Sequence, residues 1–180
     1  VSIPLGHLID VLGGREGDQA YREIILNYRM PKALTAMLVG AALSVSGLLM
    51  QSLFRNPLAG PDVLGVNAGA GLGVALVTLL ASGAGGFLLG LGSWGLVLAA
   101  ILGAAAVLFL VMLTAVRVPD LVSLLIIGLM FGYVGGALTS VFQHVSNPDT
   151  LKVFITWTFG SLSAVSWSML PILLLVVVLG

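Results

Sequence analysis

Long apolar runs interrupted by short polar clusters organise this chain. Charged side chains fall within residues 10–32, at Arg55 and Asp62, at Arg117 and Asp120, and at Asp149 and Lys152. Residues 33–54 form an uncharged run of 22 and residues 63–116 an uncharged run of 54. About 20 apolar residues in a helix cross a bilayer core of roughly 30 Å. The first run therefore predicts one crossing. The second predicts two, near 63–81 and 94–115, divided by glycine and serine breaks at 82–86 and 90–93. Residues 121–143 predict another, and the apolar run of fourteen at 167–180 reads as a truncated helix.

Residues 1–32 read as an interfacial or extracytoplasmic segment with short helices, and residues 33–180 as the transmembrane domain. Val1 is not a start methionine, and residues 1–12 are neither a signal peptide nor an anchor of sufficient length, so the chain reads as a piece of a larger protein. Asp18 is placed to cap a helix whose stripe carries Tyr21, Ile24, Ile25 and Tyr28, with Arg22, Glu23 and Asn27 facing away. Asn147 followed by Pro148 predicts a short helix over 148–159, and Trp157 and Trp167 suit an interface belt. The fold class is all-α: a polytopic transmembrane helical bundle with about five membrane segments.

Composition narrows the function. Charged residues are 8% of the chain against roughly 25% in soluble domains, hydrophobic residues are 59%, and mean hydropathy is +1.17. A soluble enzyme is thereby excluded. Seven basic and seven acidic residues with no run of like charge give no field for nucleic acid. There is no cysteine. His7 and His144 have no second ligand at metal spacing, so no metal site and no cofactor is expected, and their role reads as structural or interfacial. No phosphate-binding Gly-Lys-Ser/Thr loop occurs, so any ATP hydrolysis belongs to another chain. The spans lack paired carboxylates or a buried Lys, which argues against a proton relay. No residue qualifies as catalytic.

Twenty-four glycines would weaken soluble helices, but in lipid small residues let backbones approach closely. Four-residue spacings occur at Gly69 and Gly73, Gly86 and Gly90, Gly128 and Gly132, and Gly132 and Gly136. Helix packing explains them. The sharper reading makes Gly128, Gly132, Gly135 and Gly136 part of a translocation path.

The most specific stretch runs from Arg29-Met-Pro-Lys32 through Gln51, then Phe54-Arg-Asn-Pro-Leu-Ala59, then Pro61-Asp-Val-Leu-Gly-Val-Asn67. Asn56 and Pro57 break the helix after Phe54, because proline removes a donor and restrains the residue before it. Gln51, Arg55, Asn56, Pro57 and Pro61 then form a capped re-entrant turn, with a part in the transport path as the alternative.

This stretch resembles the membrane subunit of binding-protein-dependent ATP-binding-cassette importers for iron siderophores, haem and cobalamin, the iron-chelate and cobalamin permease family. The resemblance implies a ten-helix subunit in the bacterial plasma (inner) membrane. It also implies a second permease subunit, as a homodimer or paired heterodimer, cytoplasmic ATPase subunits and an extracytoplasmic solute-binding protein. By the same likeness Arg29 and Lys32 face outward and dock acids of the binding protein, lysine standing where the family has a second arginine. The inner gate falls at residues 118–123, where Leu121, Val122 and Ser123 follow the Pro119-Asp120 turn; an ordinary two-helix turn is the plainer reading. With residues 1–32 outside, Arg15, Arg22, Arg29, Lys32 and Lys152 are external and Arg55 and Arg117 internal, against the positive-inside tendency. The expected function is an importer permease. A channel or facilitator without an ATPase is the alternative, and a structural membrane scaffold the third reading.

Overall fold

The computed structural model describes residues 3–14, 18–79, 90, 92–163 and 165–180, and among them every regular element is helical. They are α1 (Leu5–Leu12), α2 (Gln19–Glu23), a π turn (Ile24–Arg29), α3 (Met30–Phe54), α4 (Val66–Leu79), α5 (Ser93–Ala115), α6 (Leu121–Val145), α7 (Pro148–Thr158) and α8 (Leu170–Leu179). Three helical stretches among the described residues are long and apolar enough to cross a membrane: Gln19–Phe54, Trp94–Ala115 and Leu121–Val145. Val66–Leu79 and Leu170–Leu179 are shorter apolar helices. The expected multi-segment helical bundle is therefore present. The crossing expected near 63–81 begins later, at Val66, because residues 61–64 are turn. The break expected at 82–86, and with it the Gly86 and Gly90 spacing, lies outside the described residues.

The chain divides into two compact units. One comprises Val1–Val45 and Ser161–Gly180, the other Ser46–Gly160.

In the first unit the Asp18 carboxylate accepts from the Ala20 amide at 2.9 Å and starts α2, as its position predicts. Of the short helices expected before residue 33, α1 stands by itself, whereas α2 runs on into the first span. The π turn joins α2 to α3, so helix runs unbroken from Gln19 to Phe54. Pro31 is the physical reason. In α register its ring would collide with the Asn27 carbonyl and leave that oxygen without a donor; a π turn moves the carbonyl out of the way. The extra residue also disturbs the predicted stripe. Ile25 is buried, but Tyr28 is exposed.

In the second unit α4 packs on α5 through small residues. A Cβ on Gly73 would stand 2.2 Å from the Ala99 oxygen, and one on Gly103 would stand 2.2 Å from the Gly69 oxygen. Only glycine permits that approach, and in lipid this contact area replaces the hydrophobic drive that holds soluble helices together. Val74, Ala75, Val77, Ala99 and Phe154 form one buried cluster, so α7 lies against α4 and α5. Asn147 and Pro148 begin α7 as expected, and Trp157 stacks beside Phe154.

Hydroxyls inside the helices bond to their own backbone. Ser44 donates to the Gly40 carbonyl, Thr78 to Val74, Thr139 to Gly135 and Ser140 to Gly136. This is how a polar side chain is tolerated where water is scarce. Thr35 departs from the pattern: it is buried and its Oγ1 has no partner.

Candidate functional site

Most of the motif residues converge at one end of the second unit. Helix α3 stops at Phe54, followed by Arg55 at a φ of 48°. The Asn56 amide then reaches back to the Gln51 carbonyl at 3.1 Å. This is the closing bond of a Schellman cap, in which Arg55 occupies the left-handed position that glycine usually takes. The Asn56 Oδ1 accepts from the Leu58 amide at 2.9 Å, turning the chain across Pro57. Pro61 opens a second turn, and Gly65, at a φ of 75°, leads into α4. Gln51, Arg55 and Pro57 are exposed, whereas Asn56 and Pro61 are half-buried.

The turn is fastened from below. Phe54, Ala59 and Leu64 are buried with Val111 of α5, and Leu124 and Leu125 of α6 pack against them. The helix break and the Leu121–Val122–Ser123 segment consequently share one end of this unit. Asp120 caps α6: its Oδ2 accepts from the Ser123 amide at 2.8 Å and from the Ser123 hydroxyl at 2.7 Å. These bonds, the hydroxyl's first, hold the Asp120 carboxyl below its usual range. Leu121 and Val122 remain 38% and 63% exposed, leaving two apolar side chains free at the start of α6.

The glycines of α6 divide by environment. A Cβ on Gly128 would meet the Leu64 Cα at 2.9 Å, Gly132 lies against the Gly65 Cα, and Gly135 rests on Ala68. All three carry packing against the turn and α4. A Cβ on Gly136 would meet nothing within 4 Å among the described residues.

In the first unit Arg29 is exposed at the end of the π turn and Lys32 is half-buried in the first turn of α3. Gln19, Arg22, Glu23, Leu26 and Asn27 line a surface depression of about 310 Å³. Three features escaped the sequence reading: the π turn, the left-handed Arg55, and a bond from the Trp167 indole to the Leu26 carbonyl at 2.9 Å. Pro31, inside an otherwise helical run, was the available signal for the first. His7 lies beside the Tyr21 ring, with centroids 5.0 Å apart. No cluster of three or more metal-binding side chains occurs among the described residues.

The chain is similar to known transport proteins. The vitamin B12 import system permease protein BtuC of Klebsiella pneumoniae subsp. pneumoniae is 37% identical over 146 residues, covering 81% of this chain and 42% of that protein. The BtuC protein of Pectobacterium atrosepticum is 36% identical over 164 residues, covering 87% of this chain and 48% of its own. A solved structure assigned to the metal-chelate type of ABC transporter, in an inward-facing conformation, is 29% identical with a TM-score of 0.78. It covers 99% of this chain and 51% of that one. The chain thus spans about half the length of these relatives. Residues 1–180 match the FecCD transport family, and the chain belongs to that family of transport permeases.

Proposed function

We propose that this chain is part of a permease subunit in a binding-protein-dependent, ATP-driven importer. The solute is a metal chelate of the siderophore, haem or cobalamin class. ATP hydrolysis resides on separate cytoplasmic subunits, and a second permease subunit completes the passage. The cobalamin permeases among the relatives and the metal-chelate transporter among the solved structures support this class of solute. The observation that carries the reading is the convergence of the helix break at 55–65 and the Leu121–Ser123 segment on one end of a unit. A passage closed there by Leu121 and Val122 excludes water through apolar contact and opens when α6 tilts. Arg29 and Lys32 meet acids of the solute-binding protein on the extracytoplasmic side, with residues 1–32 as the outer segment and 33–180 as the membrane domain. Gly136, where an added Cβ would meet nothing among the described residues, is the glycine of α6 available to the path.

Uptake into proteoliposomes containing the intact permease, the binding protein and the ATPase tests this. Uptake that stops when the ATPase is disabled supports the importer. Uptake that continues identifies a facilitator. A cysteine introduced at Asp18 and labelled from outside intact cells tests the orientation; protection there together with labelling at Arg117 inverts it.

A further inference from the structure

The Leu26 carbonyl has lost both of its possible backbone donors. In an α-helix its partner is the Met30 amide, but that N–H reaches back five residues to the Ile25 oxygen. In a π turn its partner is residue 31, and Pro31 has no N–H. The Trp167 indole, 141 residues away along the chain and in the same compact unit, donates to this oxygen at 2.9 Å. The alternative α register would leave a different oxygen, that of Asn27, facing the proline ring. Trp167 therefore favours the π register, because only there does the orphan carbonyl lie under its N–H.

Register decides where Arg22 points. Seven residues separate Arg22 from Arg29, nearly two full α turns, so an uninterrupted α-helix would put Arg22, Arg29 and Lys32 on one stripe. A π turn adds one residue and swings Arg22 about 100° away. Arg22 lines the depression with Gln19, Glu23, Leu26 and Asn27, its neighbours on one face of the helix, and Asn27 bonds to the Glu23 carboxylate there.

We infer that Trp167 is a positioning residue that holds the π turn and keeps Arg22 off the face bearing Arg29 and Lys32, so that this face offers an acidic partner two cations rather than three. The inference deepens the reading of Arg29 and Lys32 as docking cations and rests on it for the partner's identity.

Spin labels at Gln19→Cys and Gly40→Cys in the intact permease, in nanodiscs, read the register directly. Trp167→Phe should shift the distance between them by several ångströms. It should also tighten binding of the solute-binding protein about threefold at low salt, a gain abolished by Arg22→Ala. Loss of fold would weaken docking, so the sign separates positioning from mere support. Pro31→Ala restores a backbone donor, and in that background Trp167→Phe should change nothing further, even where the single variant fails to assemble. An unchanged distance, weaker docking, or an undiminished Trp167 effect in the Pro31→Ala background overturns the inference. If the distance shifts but Arg29→Ala with Lys32→Ala leaves docking intact, the positioning stands and the docking reading fails.

Discussion

Gly73 meets the Ala99 carbonyl so closely that a methyl group on its Cα would sit 2.2 Å from the oxygen. The obstacle is backbone on a facing helix and cannot rotate aside. Gly73→Ala must therefore separate α4 from α5, at a cost of about 1–3 kcal/mol. A Cβ on Gly71, in the same helix, would meet nothing within 4 Å among the described residues, and Gly71→Ala should be neutral or gain up to about 1 kcal/mol from helix propensity. Thermal unfolding of the two variants in detergent distinguishes them; equal melting temperatures contradict the close contact.

Arg55 occupies a left-handed backbone position at a φ of 48° with a Cβ that disfavours it. Arg55→Gly should stabilise the cap by about 1 kcal/mol, whereas Arg55→Ala, which keeps the Cβ, should not. The difference between the two isolates the backbone from the guanidinium. If Arg55→Gly also lowers uptake while raising the melting temperature, the side chain is retained for transport at the expense of the turn.

These two sites show what the sequence made legible. Charge-free runs located the spans because a bilayer forbids unpaired charges wherever they fall along a helix. Proline and asparagine located the ends of α3 and α7 through local rules acting within a few residues. The glycine spacing of Gly69 and Gly73 revealed a close face, but its partner, Gly103 with Ala99, depends on tertiary geometry that spacing does not encode. The break after Phe54 was evident from Asn56 and Pro57; that Arg55 takes the left-handed position was not, since Asn56 is the residue type that tolerates it better. The π turn was hidden because a 3.6-residue template assigns Tyr28 to the stripe of Ile25, and one inserted residue removes it.

Asp120 links the Leu121–Ser123 segment to pH. Its two bonds from Ser123 lower the folded carboxyl below the ordinary 3.8, so the stabilisation is complete above that value. It is lost as pH falls through the lower folded value, because protonation weakens the acceptor. Hydrogen exchange at the Ser123 amide should accelerate in that acid window relative to mid-helix amides of α6. Asp120→Asn retains a capping oxygen without a charge and should remove the acid dependence. Persistence of that dependence in the variant assigns it to another group.

Phe154 anchors α7. It is buried among Val74, Ala75, Val77 and Ala99, with Trp157 stacked beside it at 6.4 Å. Phe154→Ala opens a cavity under the helix and should cost about 3 kcal/mol. Limited proteolysis after residue 147 should then cut α7 while leaving α4 and α5 protected. Cleavage of all three at equal rates would mean that α7 is integral to the bundle rather than docked upon it.

Thr35 yields a prediction of the opposite sign. It is 6% exposed and its hydroxyl has no partner, although hydroxyls elsewhere in these helices donate to their own backbone carbonyls. An unpaired buried hydroxyl costs about 1–3 kcal/mol, and valine has nearly the same shape without that oxygen. Thr35→Val should therefore raise the melting temperature of the intact permease, whereas Thr78→Val, which removes a bonded hydroxyl, should not. The position adds meaning to the sign, because Thr35 lies one turn beyond buried Pro31 and close to the segment whose register Trp167 holds. A stabilised Thr35→Val protein with slower uptake would indicate that the hydroxyl finds its partner in another state of the transport cycle. Unchanged uptake makes it a local imperfection, and a lower melting temperature would mean the hydroxyl is bonded after all.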